Sequence, residues 1–393
     1  MKNVKRSLLK AVRLSAAIGM SSLAINSMAA PEPIKIGGLA TLSGAMTLPE
    51  SPEAARAVFD RVNTEGGIQG RKIEYIVQDD KGEAGATAQA GRELVDSQGV
   101  VAFAGSASLQ DCAVNSNLYN RRGVLSLPGV AGEFSCYSKK AFAPVSVGPA
   151  GGTLASLYYA SEVLKKDRVC AFLLGIPSHA AGNKWAVKQY RAMTDKNLAL
   201  LDTTVLPNDD MTPHVLRAKS TGCDAIVFSG AEQMDLAWLK AMQMQGITDV
   251  TTIFMTPAYT SGFAEASKNY PGEVYANSEY EPFLSDSAVL NDWRGLMKNA
   301  GQPLSSFGQG GYISATLLVE ALKRIEGPIT RDSVTKALRA STGADALTNP
   351  MLGNPLDVAA DVDHSATSAT KFVKLVDGDW KVVTPDFLRI NTK

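Results

Sequence analysis

The segment Gly105-Ser106-Ala107-Ser108-Leu109-Gln110 sets two hydroxyls two residues apart in a glycine-led turn, directly after the apolar run Val100–Ala104. A turn of this kind can present a serine nucleophile, offer hydroxyl and backbone N–H donors to an acceptor, or cap the helix that follows. A nucleophile needs a base held beside it and a third group orienting the base. The three histidines, His179, His214 and His364, lie far from this turn and from one another. They have no metal-ligand spacing. The chain contains no G-x-S-x-G elbow, Walker A loop, H-E-x-x-H or C-x-x-C. Recognition, rather than turnover, is the chemistry these residues suit, and neither a cofactor nor a metal is expected.

A second polar-and-glycine loop, Pro128-Gly129-Val130-Ala131, follows the apolar stretch Val124–Leu127. Farther on, His179 stands in Gly175–Gly182, Glu232 follows Ser229-Gly230-Ala231, and Tyr259 follows Thr256-Pro257-Ala258. His179 is either an ordinary surface side chain or a donor whose charge changes near pH 6.5. Tyr259, Met46 and Phe307 are candidate apolar walls for a bound molecule, with plain packing as the alternative.

These loops recur because the chain alternates strands and helices. Ile34–Ile36 is a β-branched run stopping at Gly37-Gly38. Pro52–Asn63 carries Ala54, Ala55, Val58, Phe59 and Val62 on one helical face, with Ser51 as its expected N-cap. Gly66-Gly67 and Gly70 end that helix, and Arg71–Val77 is a strand running into Asp79-Asp80. The alternation continues with helices over 84–96, 113–120, 152–165, 183–195, 215–220 and 234–245. Strands are predicted over 100–104, 124–127, 169–174, 200–206, 224–228 and 251–255. Helices over 288–300, 313–325 and 330–340, the last capped by Thr330, precede a hairpin of 371–376 and 380–383 turning at Asp377-Gly378. Strands that each end in a glycine or serine loop and feed a helix make parallel, doubly wound sheets, whose ligands sit at the strands' carboxyl ends.

The ordered series LATLSG, then AARAVFDRVNTEGGIQGRKIEYIVQDDKG, together with the later GY-x-x-x-x-LL-x-x-AL pattern at 311–322, resembles the branched-chain amino acid-binding family. These are extracytoplasmic solute-binding proteins of ABC importers. The resemblance covers essentially the whole chain after residue 29. It implies an α/β fold of two doubly wound parallel-sheet lobes joined by a three-segment hinge, the type I periplasmic binding protein fold. The implied organisation is 34–147 plus 277–352 as lobe I and 148–276 plus 353–393 as lobe II, crossing near 147, 276 and 355 and closing on a small solute. It also implies an inner-membrane ABC permease as partner and a monomeric carrier. A sensory subunit with the same closure and, remotely, a secreted hydrolase are the alternatives.

Carried onto this chain, the family's ligand contacts fall on Ser106, Ala107, Ser108, Gly129 and Val130 in the first lobe. His179, Glu232 and Tyr259 are the candidates in the second. Two positions depart from the family. His179-Ala180-Ala181-Gly182 stands where a Tyr-Gly-x-Gly-like sequence is usual, and Pro257-Ala258-Tyr259 lacks the carboxylate that pairs a ligand ammonium. A buried ammonium needs such a partner, and Glu232 is the nearest substitute. A solute with an acid or amide head and an apolar body fits as well as an α-amino acid. The fold reading favours pairing Cys112 with Cys136. It favours Cys170 with Cys223 less strongly, with buried free thiols as the alternative for that second pair.

The amino terminus explains where such a protein would work. Lys2, Lys5, Arg6, Lys10 and Arg13 precede the apolar run Leu14–Ile25, too short to span a bilayer, and Ser27-Met28-Ala29 offers a cleavage site after Ala29. Residues 1–29 are expected to be a signal peptide, leaving a periplasmic protein without a membrane anchor. The 39 basic and 39 acidic residues balance, so nothing draws the chain to nucleic acid.

Overall fold

The computed structural model describes residues 31–44, 47–359 and 369–390. The expected signal peptide, Met46 and His364 lie outside them. The first half of the chain gives β1 (Ile34–Ala40), α1 (Glu50–Thr64), β2 (Ile73–Asp79), α2 (Ala84–Arg92), β3 (Ala102–Ala104), α3 (Asp111–Arg122) and β4 (Ser126–Leu127). Strand β1 runs through Gly37-Gly38 instead of stopping there. These glycines make room rather than a turn: a Cβ on Gly37 would lie 2.8 Å from the Phe103 ring, and one on Gly38 2.5 Å from the Tyr75 hydroxyl. Helix α1 starts earlier than expected, with Pro49 at its N-cap. Ser51 is buried and its hydroxyl donates to the Gly105 carbonyl at 2.9 Å, so it does not cap.

The four strands form one parallel sheet in the order β2-β1-β3-β4. Alternate strand residues point to opposite faces. Ile34, Ile36, Ala102 and Ala104 pack with Ala54, Ala55, Val58 and Phe59 of α1. Leu39 and Phe103 pack with Leu94, Cys112 and Tyr119 on the other face.

The chain then builds α4 (Gly148–Tyr158), β5 (Val169–Leu174), α5 (Pro177–Thr194), β6 (Leu200–Val205), α6 (Met211–Thr221), β7 (Ala225–Phe228), α7 (Glu232–Met244), β8 (Thr251–Phe254), α8 (Ser261–Ala266) and β9 (Val274–Ser278). Helices α9 (Asn291–Asn299), α10 (Ser306–Lys323) and α11 (Arg331–Ala340) return to the first sheet. Strands β10 (Ala369–Val376), β11 (Asp379–Val382) and β12 (Leu388–Arg389) complete the second. Its order is β11-β10-β9-β8-β7-β5-β6, with β12 beside β10. Strands β5 to β9 run parallel and the closing hairpin antiparallel. The hairpin turns on Asp377 and Gly378 at φ 52° and 80°, the left-handed pair that a D-G turn supplies. Thr330 caps α11 in a reciprocal capping box with Ser333.

Four helices begin one or two turns before the apolar periodicity does. Helix α4 starts at Gly148, α5 at Pro177, α6 at Met211 and α10 at Ser306. Pro177 fits the first helical position and Ser305 caps α10 by accepting the Gly308 N–H, so chain chemistry at these ends overrides the glycines.

Both disulfides form. Cys112–Cys136 ties α3 to the turn at Phe134–Ser138, and Cys170–Cys223 ties β5 to the loop before β7. No described helix is long and apolar enough to cross a membrane.

Candidate functional site

Strand β3 ends at Gly105, whose φ of +65° turns the chain toward α3. A Cβ there would meet that of Ala55 at 2.4 Å. The next three residues hold the strand ends together. The Ser106 hydroxyl accepts the Leu39 N–H at 3.2 Å, and the Ser106 carbonyl accepts the N–H groups of Gly129 and Val130 at 3.0 and 3.1 Å. Ala107 donates its N–H to the Leu39 carbonyl and accepts from Thr41. Ser108 donates to the Asp80 carboxylate and accepts the N–H groups of Gln110 and Asp111 at 3.2 and 3.0 Å, capping α3. The five candidates from the first half of the chain are therefore brought together, each already holding a partner within the protein.

The Asp79-Asp80 pair divides its work. Asp80 is fully buried and takes the Thr41 hydroxyl at 2.8 Å, the Gly82 N–H at 2.9 Å and Ser108. Asp79 faces outward and takes the N–H groups of Leu42, Ser43 and Lys81 and the Ser43 hydroxyl. Desolvation raises its pKa, but those four bonds outweigh it and hold the carboxyl below its usual range. One acid fixes the loop after β1, the other the turn after β3.

Above these turns lies a small apolar cluster separate from the main core. Ala40, Leu48 and Ala107 are buried, and Leu109, Val130 and Phe307 are half-buried against them. Val130 and Phe307 thus share one wall, although Phe307 belongs to α10 and not to a loop.

On the second sheet the candidates stand on three different strand ends. His179 lies in the first turn of α5, not in a loop, with the Ser178 hydroxyl 3.2 Å from Nδ1. Burial lowers its pKa and keeps the ring neutral near pH 7. A cavity of about 180 Å³ beside it is lined by Leu174, Ile176, Pro177, Ala180, Asn183 and Lys184 among others, without His179. Glu232 is the first residue of α7 and half-buried. Tyr259 is 1% exposed, its ring 4.4 Å from Phe283 and 5.8 Å from Trp380, and its hydroxyl accepts the Leu284 N–H at 3.0 Å. No hydrogen bond joins these three to the first group among the described residues.

Asp235, one turn beyond Glu232, escaped the sequence reading. It is fully buried with neither carboxylate oxygen hydrogen-bonded, and burial, then the charge of Glu232, raises its pKa far above the usual range. The signal was present: Asp235 shares a helical face with Trp238, Leu239 and Met242. Cys112, Glu133 and Cys136 also converge, but both sulfurs are spent in the disulfide and Glu133 accepts the Ala113 N–H at 3.0 Å.

A family model described as Periplasmic binding protein matches residues 33–379. No curated protein matches the chain. Among solved structures, the branched-chain amino acid transporter substrate-binding protein LivJ of Streptococcus pneumoniae, in complex with isoleucine, is similar with a TM-score of 0.75 at 20% identity. That match covers 91% of this chain and 100% of the other. The fatty acid ABC transporter substrate-binding protein of Thermomonospora curvata has a TM-score of 0.75 at 17% identity, over 92% of this chain and 93% of its own. The leucine-binding protein LivK of Thermotoga maritima has 0.71 at 14%, over 91% and 99%. At these identities the likeness is one of fold.

Proposed function

Because the chain belongs to the periplasmic binding protein family, whose members carry solutes without turning them over, we propose that it is the solute-capturing component of an ABC importer. Residues 34–147 plus 277–352 form one lobe and 148–276 plus 353–393 the other. A small solute is held between their strand ends and delivered by the closed monomer to an inner-membrane permease. The observation that carries the ligand class is the half-buried apolar cluster of Leu109, Val130 and Phe307 on Leu48. A pocket that buries an apolar body and orients it with a few polar groups is the usual form of a small-molecule site.

Of the similar proteins, one is held in complex with isoleucine and another is named for fatty acid transport. Both molecules pair a carboxylate with an aliphatic body. We extend that chemistry to this chain: an organic acid or amide of modest size, its body against Val130 and Phe307. Its head meets the backbone and hydroxyl groups of Ser106–Ser108 and Gly129. Glu232 is the candidate acid for an ammonium, and His179 a neutral donor at the rim.

A thermal-melt panel tests this with residues 30–393. It holds leucine, isoleucine and valine, their deaminated acids and amides, aromatic and medium-chain carboxylates, and short diamines. A ligand present at about 100 times its dissociation constant stabilises by about 2.7 kcal/mol, a readable shift. Shifts with deaminated acids support the reading. A shift confined to amino acids and abolished by Glu232→Gln would make Glu232 the ammonium partner, and a shift with diamines alone would overturn the acid-binding assignment.

A further inference from the structure

Residues 278–281, which carry the chain from β9 toward α9, touch both other crossings between the sheets. The Glu279 carboxylate accepts the N–H of Gly148, the first residue of α4, at 2.7 Å. The Glu281 N–H donates to the Met351 carbonyl at 2.9 Å, and its carboxylate pairs with Lys371 at 2.7 Å. Gly148 sits at φ +72°, and a Cβ on it would lie 2.1 Å from the Tyr137 hydroxyl, so its position against that ring admits only glycine.

The two buried acids differ in one respect. Glu281 has Lys371 as counter-ion, with side chains 10% and 9% exposed. Glu279, 8% exposed, has no ion-pair partner among the described residues. The titratable groups facing it are the phenols of Tyr137, from the disulfide-tied turn, and Tyr280, from its own segment. Burial raises both phenols, so they stay neutral. Their hydroxyls are engaged elsewhere: the single proton of Tyr137 is directed at the Ser146 and Ala131 carbonyls, 3.2 and 3.4 Å away, with the Ser146 hydroxyl at 3.3 Å, and Tyr280 donates to the Gly129 carbonyl. An ionised Glu279 would keep only the Gly148 N–H, and a buried carboxylate without a counter-ion is costly.

We propose that Glu279 is a proton-operated latch on the hinge: neutral, it stabilises the crossing geometry described here, and ionised, it favours geometries that admit water to it. Burial, partly offset by the Gly148 bond, pushes its pKa up to about 7, so the latch works near neutrality. The inference rests on lobe closure as proposed above.

The test is amide hydrogen exchange around Gly148, corrected for intrinsic rates, across pH 7 in wild-type residues 30–393 and in Glu279→Gln. Tryptophan emission is read in parallel. Trp185 of α5 is half-buried with its ring 5.4 Å from that of Phe134, across the proposed lobe boundary, whereas Trp238, Trp293 and Trp380 are buried. Wild type is expected to lose protection with a midpoint near 7 and shift its emission in step, while Glu279→Gln stays flat. Glu279→Leu is the second neutral variant should the first fail to fold. Asp111→Asn, removing the other carboxyl pushed up to about 7, is expected to keep the transition. An unchanged transition in the neutral variants overturns the latch. So does a flat wild type whose emission still responds to a stabilising solute. Emission that responds to neither pH nor solute overturns lobe closure, and the latch with it.

Discussion

The carbonyl oxygen of Ser51 lies 1.9 Å from where Gly311 would carry a Cβ. Helices α1 and α10 meet backbone to backbone at this point, and Gly310 is set as tightly against the Gly129 carbonyl, at 2.2 Å. The glycines ahead of Tyr312 are therefore a packing surface that fixes the turn after β4 between two helices. Gly311→Ala is expected to destabilise by about 1–3 kcal/mol, the usual cost of overpacking. Gly295→Ala in α9, where a Cβ would meet nothing within 4 Å, is the contrast. It should stabilise by up to about 1 kcal/mol through the unfolded chain. Urea midpoints of the two variants check the pair.

Ser108→Ala removes a helix cap and a donor to buried Asp80 together. A loss of about 1–3 kcal/mol is expected without any solute present. A variant that melts like wild type yet no longer responds to the panel would give the hydroxyl to the ligand instead.

Asp111 predicts a pH dependence with a definite sign. Burial pushes its carboxyl up to about 7, against bonds from Asn115 and Tyr119 that lower it. The native state thus holds this proton to higher pH than the unfolded chain, whose aspartates titrate near 4. Between about 4 and 7 the native state binds more protons, so this group's contribution falls as pH rises through that window and levels off above it. Asp111→Asn keeps an acceptor for Asn115 and Tyr119. The stability difference between it and wild type should change across the same window. Urea midpoints at several pH values read it, and a difference independent of pH would contradict the assignment.

The disulfides close segments of 24 and 53 residues. Chain entropy assigns roughly 3.5 kcal/mol to the shorter and roughly 4 kcal/mol to the longer. Replacing each pair by serine should lower the urea midpoint in that order. Loss of Cys112–Cys136 should also move Trp185 emission, because the turn it ties carries Phe134. Loss of Cys170–Cys223 should not.

Element order and type were legible because strand and helix periods are local properties of the chain. Val169–Leu174 as β5, the D-G hairpin and the Thr330 cap follow from spacing and turn chemistry alone. Helix starts were not legible at Gly148, Pro177, Met211 and Ser306, where apolar spacing begins a turn or more after the helix does. For the site, spacing led to the strand-end loops. It did not tell which of their donors were already taken, since the partners of Ser106 and Ser108 lie 67 and 28 residues away in sequence.

By itself the sequence determined two doubly wound sheets, their glycine and serine loop ends, and a family of solute carriers, all set by periodicity and ordered motifs. Tertiary structure alone decided that Gly37, Gly38 and Gly311 are spacers and not turns, that Tyr259 is interior, and that Asp235 and Glu279 are buried acids with no counter-ion among the described residues. Burial and close approach arise between segments distant in the chain. A residue's neighbours along the sequence do not record which carbonyl, ring or carboxylate will stand against it.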